Sequence, residues 1–210
     1  MKKELTFIVI SLVAIFSFKG EELRNGDLIF VGEGCGDFSK AISMSTSSSE
    51  SIKLVHVGII EVCGKDDIKV IEASPENGVR EIAFEKFIES VPKIDGYPQI
   101  IFMRLIRDFP VEKCILNAKS YLGKPYDWWY LLENDKIYCS ELVYESYLDE
   151  TGTHIFELTP MNFRSPDGSM PKFWIELFDK LGEPVPEGIP GTNPSDLSKS
   201  SVLRKIEYEL

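Results

Sequence analysis

Short apolar runs rich in β-branched residues dominate the first half of the chain and predict strands. The clearest is LVHVGIIEV at 54–62, which is followed by the hairpin-turn composition GKDD at 64–67 and a second run at 68–73. An Asn25-Gly26 turn leads into another strand at 27–31. The remaining predicted strands are 79–82, 99–105 and an edge strand at 202–206.

Apolar residues at helical spacing occur between and after these runs. They predict helices at 38–44, 84–91, about 108–122, from 139 onward, and 171–181. In the fourth of these, one face carries Cys139, Leu142, Val143, Ser146 and Tyr147, which places Cys139 at the helix start. A strand-rich first half followed by helices indicates an α+β fold with an antiparallel sheet.

Length and composition favour a single globular domain. The chain has 210 residues, of which 43% are hydrophobic, and a formal net charge of −11. Neutralising phosphates requires clustered Lys and Arg, and the basic residues here form no such run. The charge pattern therefore argues against nucleic acid as a partner.

The first 18 residues have the pattern of a secretory signal peptide. Met1-Lys2-Lys3 precedes a short apolar run at 5–18, although Glu4 is atypical. The run is too short to span a bilayer securely, so we expect no stable membrane span once it is removed. The chain is then an exported protein of the periplasm, cell surface or medium. A retained N-terminal anchor and a buried first strand are the alternatives.

The rest of the chain, 19–210, is predicted to form one domain. From about residue 182 it is rich in Pro and Gly, and we expect this extension to wrap over the surface. Four cysteines are too few for a disulfide scaffold, and Cys114 lies on an apolar helix face typical of a core position. Two histidines and no C-x-x-C pair give no convincing metal site, and no cofactor is expected.

Three residues suggest chemistry. A thiolate at Cys139 would be stabilised by the helix N-terminus, although a buried apolar role or a disulfide is as compatible with this segment. His56 lies in an apolar strand, and the hairpin brings it within one or two positions of Glu72 on the next strand. A hydrogen bond between them would favour the imidazolium and hence the thiolate. A buried core histidine and a solvent-facing glutamate are the alternatives.

Five segments in order carry a resemblance to a known family. They are NGDLIF at 25–30, HVGII at 56–60, VIEA at 70–73, LGKPYD at 122–127 and YCSELV at 138–143. Together they resemble the YiiX-like group, permuted papain-like relatives of the NlpC-type cysteine peptidases. The likeness spans about residues 23–147, and the tail from 186 to 198 is also similar.

The resemblance implies a circularly permuted papain-like core, with the histidine strand before the nucleophile helix. By motif match, Cys139 is the nucleophile, His56 the general base and Glu72 the orienting residue. Tyr126, of the Pro-Tyr-Asp motif, is expected to line the cleft, or else to pack beside Trp128. Substrate contacts are expected from Tyr126, Ser140 and Trp128, whereas Glu141 braces the helix start. A catalytic Cys139 leaves at most one disulfide among the other cysteines, with Cys35 and Cys63 the first pair to test.

The first functional hypothesis is a cysteine hydrolase that cleaves an amide bond through a thioester. Its substrate is a peptide, in particular a cell-wall peptide, or another small amide. The second hypothesis is a lipid-directed acyl hydrolase or acyltransferase with the same triad, whose acyl groove is lined by the aromatic stretch 126–130. The third is an inactive secreted binding module on the same fold.

Overall fold

A computed structural model describes residues 20–46 and 52–210. The predicted signal peptide lies outside the described residues, as do residues 47–51 of the Ser/Thr-rich loop. The strands are β1 (Leu28–Gly32), β2 (Leu54–Gly64), β3 (Asp67–Ser74), β4 (Gly78–Ala83), β5 (Lys93–Ile94), β6 (Tyr97–Pro98), β7 (Ile100–Leu105), β8 (Thr159–Pro160), β9 (Pro190–Gly191) and β10 (Leu203–Ile206). The helices are α1 (Asp37–Ser45), α2 (Phe84–Ser90), α3 (Val111–Ser120), α4 (Cys139–Ser146), α5 (Lys172–Leu181) and α6 (Pro194–Ser198).

The main sheet has six strands in the order β10-β7-β1-β2-β3-β4. Every neighbouring pair in it is antiparallel. The α+β prediction with an antiparallel sheet is therefore confirmed. The predicted edge strand near the C-terminus is also present, because β10 forms the outer edge beside β7.

The sheet separates two apolar layers. Successive residues of β1 alternate between them, with Phe30 in the larger layer and Ile29 in the smaller one. Because both faces are covered, β1 reads as a continuous apolar run. The larger layer packs against α1, α3, α4 and α5, and the smaller layer against α2.

Two consecutive hairpins position the polar residues on β2, β3 and β4. The first pairs Ile60 with Val70, so Glu72 lies opposite Gly58 and two positions from the partner of His56. The second pairs Glu72 directly with Arg80. Side chains two residues apart on a strand share a face, so the hairpins gather His56, Glu72 and Arg80 on one side of the sheet.

Helix α4 begins at Cys139, as the periodicity predicts. Tyr138 before it is extended, and its N–H donates to Glu141 Oε2 at 3.1 Å. Leu142 and Val143 are fully buried in the larger layer. Glu141 therefore braces the helix start, while the apolar face fixes the helix against the sheet.

Helix α3 is shorter than predicted. It starts at Val111, with Pro110 at the N-cap instead of Asp108, and it ends at Ser120. Pro110 has no N–H and a restricted φ, which suit the start of a helix. Gly123, at φ 83°, lies beyond the helix in the turn that follows.

The first part of the C-terminal extension, residues 182–190, lies at the surface, whereas the part from Gly191 to Ser198 is largely buried. Gly191 and Thr192 are buried, and Thr192 N–H donates to the Tyr138 hydroxyl at 3.1 Å. Asn193 then caps α6, accepting from Asp196 N–H, with Pro194 in the first turn. The extension is thus tied to the residue that precedes Cys139.

All four cysteines are free, so the Cys35–Cys63 pairing is wrong. Cys35 follows β1 close to the His56 end of β2, because Val31 pairs with His56. Cys63 lies seven residues after His56 on β2, so these two positions are roughly 23 Å apart at about 3.3 Å per residue. A disulfide requires the Cα atoms to lie within about 7 Å of each other. Cys114 is fully buried in the larger layer, which confirms its core position. No helix in the described part of the chain is long and apolar enough to cross a membrane.

Candidate active site

The centre of the candidate site is a buried carboxylate with two partners. Glu72 is 3% exposed, and its Oε2 lies 2.6 Å from His56 Nε2. Its other oxygen, Oε1, accepts from Arg80 Nε at 2.9 Å and Nη2 at 2.7 Å. Each carboxylate oxygen is therefore committed, one to the histidine and one to the arginine.

These contacts set the charge states. Burial acts to raise the pKa of Glu72, but His56 and Arg80 outweigh it and hold that pKa below its usual value. Burial acts to lower the pKa of His56, but side-chain hydrogen bonds with Cys139 and Glu72 raise it to about 10. The imidazolium form is thus favoured at neutral pH, next to a thiol.

Cys139 is the first residue of α4 and is 4% exposed. Glu72 engages Nε2 of His56, and the Cys139 side chain also interacts with His56 and contributes to its raised pKa. The N–H groups in the first turn of an α-helix lack intrahelical acceptors. The arrangement therefore supplies a thiol, an oriented imidazole and backbone donors within one small region.

Two cavities flank this region. The His56 groove, lined by His56, Glu72, Glu76, Arg80, Phe87 and Tyr126, has a volume of about 390 Å³. The Cys139 cavity, lined by Tyr126, Tyr130, Cys139, Ser140, Met161 and Trp174, has a volume of only about 40 Å³. Tyr126 lines both, so the two spaces adjoin at the candidate site.

Tyr126 combines both roles expected from its motif. It lines the two cavities, and its ring also packs edge-on against Trp128 with centroids 5.0 Å apart. Burial raises the pKa of Tyr126 well above 10, so its hydroxyl stays protonated. Trp128 lies behind it, against Phe38, and lines neither cavity. Its assignment as a substrate contact stays a prediction.

Ser140 and Glu141 follow Cys139 in the first turn of α4. Ser140 is 1% exposed and lines the Cys139 cavity, and its assignment as a substrate contact stays a prediction. Burial raises the pKa of Glu141 to about 8, and its carboxyl group accepts from the N–H of Tyr138. Glu141 thus points back along the helix start and not into the cavity.

Sequence reasoning missed two parts of the site. Arg80 is one, although a hairpin turn at 75–77 pairs it with Glu72 and carries the signal. The segment from Thr192 to Pro194, which also lines the Cys139 cavity, is the other. No local sequence pattern could have placed that segment, because Thr192 and the residue it bonds, Tyr138, are more than fifty residues apart in the sequence.

Comparison with known proteins identifies the family. Residues 22–207 match the family described as "Permuted papain-like amidase enzyme, YaeF/YiiX, C92 family". The chain belongs to the C92 family. It is therefore a cysteine hydrolase of the peptidase and amidase type, and the resemblance in its five motifs is confirmed.

Relatives of this C92 family member are known from Escherichia coli. An uncharacterized protein YiiX of strain K12 is 27% identical over 189 residues, covering 89% of this chain and 86% of that protein. A crystal structure described as metalloprotein yiiX from strain O157:H7 matches with a TM-score of 0.67 and 25% identity, covering 89% of this chain and 97% of that one. The permuted papain-like fold is thus shared along almost the whole C92 chain.

Proposed function

We propose that this protein cleaves an amide bond with a triad of Cys139, His56 and Glu72. The supporting observation is the continuous series of side-chain contacts that runs from Arg80 through Glu72 and His56 to Cys139 at the start of α4. A thiol nucleophile needs a base that is itself oriented by a third group, and this series supplies both.

In the first step, the Cys139 thiolate attacks the amide carbonyl. The N–H groups of Cys139 and Ser140 stabilise the negative charge that develops on the carbonyl oxygen. His56 transfers its proton to the leaving amine as the C–N bond breaks, which leaves an acyl group on the sulfur. His56 then takes a proton from water, and that water hydrolyses the thioester.

Arg80 acts as a positioning residue in this scheme. Its bidentate contact occupies Glu72 Oε1 and turns Oε2 towards His56. Because the guanidinium also lowers the pKa of Glu72, the carboxylate stays ionised and can hold the imidazolium. Arg80 touches no reacting atom and works through Glu72.

The proposed substrate is a peptide, in particular a cell-wall peptide met after export. Its amide class is supported by the amidase family. The small Cys139 cavity, about 40 Å³, favours such a substrate over the lipid alternative because a long acyl chain needs a far larger apolar space. Export itself rests on residues 1–18 and stays part of the proposal.

The solved relative from E. coli O157:H7 is described as a metalloprotein, which raises the question of whether this chain has side chains that could bind a metal ion. In residues 20–46 and 52–210, no group of three or more His, Cys, Asp or Glu side chains could hold a metal ion. Both oxygens of Glu72 are also committed to His56 and Arg80. The side chains in these two ranges do not fit a metal, and no step of the proposed reaction involves one.

Alkylation tests the proposed nucleophile. With iodoacetamide at pH 6, Cys139 is expected to react faster than the exposed Cys35 and Cys63, which serve as internal references. His56→Ala should abolish that preference. Equal relative rates in wild type and His56→Ala would contradict the triad.

Hydrolysis of fluorogenic peptidyl amides tests the reaction. Wild type is expected to release the fluorophore, whereas Cys139→Ala should not exceed the uncatalysed rate. Equal release by both proteins would contradict Cys139 as the nucleophile. Intact-mass detection of an acyl adduct on Cys139 would identify the thioester directly.

A further inference from the structure

The polar side chains around the Cys139 cavity are nearly all engaged with one another. Ser45 Oγ accepts from Trp174 Nε1 at 3.0 Å, and Asn162 Nδ2 donates to the carbonyls of Ser45 and Arg164. The others are also taken: Thr46 donates to the Ile42 carbonyl, Thr192 bonds the Tyr138 hydroxyl, and Asn193 bonds Asp196.

The exceptions are Ser140 Oγ and the Tyr130 hydroxyl. Ser140 Oγ is buried at the cavity and has no hydrogen-bond partner within the described residues. The Tyr130 hydroxyl also lines the cavity and is buried, and it interacts with the neighbouring Tyr126 hydroxyl. A buried hydroxyl without a partner is costly, so a ligand that bonds Ser140 Oγ would remove that cost.

The size and charge of the cavity limit that ligand. Its volume of about 40 Å³ holds on the order of three non-hydrogen atoms, judged by the space one water needs. No Asp, Glu, Lys, Arg or His lines it within the described part of the chain. The group that enters is therefore short and uncharged.

One wall of the cavity has little freedom to move. Gly191 packs so closely that a Cβ built on it would lie 2.6 Å from the Met161 side chain. Thr192 is held by the Tyr138 hydroxyl through its N–H. These contacts keep the C-terminal extension closed over the cavity, so a long chain cannot enter by a small adjustment of this wall.

The position of the cavity assigns it to one half of the substrate. His56 must protonate the leaving amine, so the leaving group lies next to His56, towards the His56 groove. The acyl carbon bonds to the sulfur, and its substituents turn to the other side. The Cys139 cavity is lined by Cys139 and Ser140 and not by His56, so it is the space assigned to these substituents.

We propose that the Cys139 cavity is the acyl subsite and selects a short, uncharged acyl group that bears one hydrogen-bonding substituent, which Ser140 Oγ binds. This inference rests on the proposed function. Acyl groups of this class include hydroxyacyl and small aminoacyl units in amide linkage. Long, unsubstituted acyl chains are excluded.

The test uses three p-nitrophenyl esters: propionate, 2-hydroxypropionate and octanoate. During acylation the bond from sulfur to the acyl carbon forms, the bond from that carbon to the phenolic oxygen breaks, and p-nitrophenolate leaves. Its absorbance gives the acylation rate, and intact mass gives the adduct. Each rate is divided by the uncatalysed hydrolysis rate of the same ester. On this scale we expect the hydroxypropionate to react about tenfold faster than the propionate, the gain of one hydrogen bond, and the octanoate at least about tenfold more slowly.

Variants isolate the contribution of Ser140. Ser140→Ala should reduce the ratio of hydroxypropionate to propionate rates to about one, whereas the exposed Ser120→Ala should keep the wild-type ratio. Met161→Ala enlarges the cavity and should raise the octanoate rate relative to propionate by about tenfold, with Met161→Leu as the volume-matched control. Circular dichroism checks that each variant is folded.

The outcomes separate the two proposals. If esters acylate Cys139 but octanoate is fastest, or if Ser140→Ala keeps the wild-type ratio, the acyl subsite is wrong and the triad stands. If no ester forms an adduct on Cys139, the proposed function is wrong and the acyl subsite with it.

Discussion

Two buried carboxylates, Asp27 just before β1 and Glu72 on β3, each accept two N–H groups of an arginine. They differ in how their two oxygens are used. Asp27 receives Arg104 Nε and Nη2, each at 2.7 Å, and its Oδ2 also accepts the N–H of Arg24. Glu72 gives only one oxygen to Arg80 and keeps the other for His56. Asp27 therefore binds an arginine and a backbone N–H, whereas Glu72 binds an arginine and a histidine.

The arginines differ as well. Arg104 is 10% exposed at its side chain and also bonds the Glu22 carbonyl, so it ties the start of the domain to β7. The side chain of Arg80 is 33% exposed and lines the His56 groove. A buried carboxylate with an arginine is therefore not a functional signal by itself. The second carboxylate oxygen, which binds a histidine, distinguishes the candidate site from a structural anchor.

The largest expected effect is on turnover, in Glu72→Gln. We expect kcat to fall about a thousandfold, because the amide cannot hold the imidazolium in place. Thermal stability should fall less than in the Asp27 variant below, since water can reach Arg80. Amide hydrolysis and thermal melts measure the two effects. A variant that keeps wild-type turnover would contradict the orienting role.

The opposite result is expected for Asp27→Asn. It removes the carboxylate that accepts two N–H groups of the buried Arg104, which keeps Glu21 and the Glu22 carbonyl as acceptors, so the free energy of unfolding should fall by about 2 kcal/mol. The kcat of the folded fraction should stay close to wild type. Denaturant unfolding measures the loss, and Glu176→Gln, in an exposed i,i+4 pair, is the control with no measurable change. A large loss of kcat in folded Asp27→Asn would remove the contrast between the two clusters.

The sequence predicted the proximity of His56 and Glu72 and the position of Cys139, but not the contributions of Arg80 and Thr192. The turn at 65–66 is local and the strands are regular, so the alternation on β2 and β3 was enough to bring His56 and Glu72 together. The start of α4 followed from a short helical period. Arg80 was missed because its role depends on a second hairpin, and Thr192 because a tertiary hydrogen bond fixes it.

A pH effect on stability should follow from His56. The pKa of His56 is raised from 6.5 to about 10, so the folded state holds an additional proton between these values. The resulting stabilisation is fully present below pH 6.5 and is lost as the pH rises through about 10. We expect roughly 1–2 kcal/mol between wild type and His56→Gln at pH 6.5, decreasing towards pH 10. Unfolding curves across this range measure it, and a constant difference would contradict the raised pKa.

The smallest effect is expected at Arg80. Because the guanidinium lowers the pKa of Glu72, Arg80→Met should raise that pKa and move the acid limb of the kcat/KM profile to higher pH. At neutral pH we expect kcat to fall about tenfold with KM unchanged, because Arg80 positions Glu72 and does not touch the substrate. Arg80→Lys keeps the charge without the bidentate contact, so it should restore the acid limb more than kcat. If Arg80→Met lowered stability and left the limb in place, Arg80 would resemble Arg104, an anchor of the fold with no effect on the titrating pair.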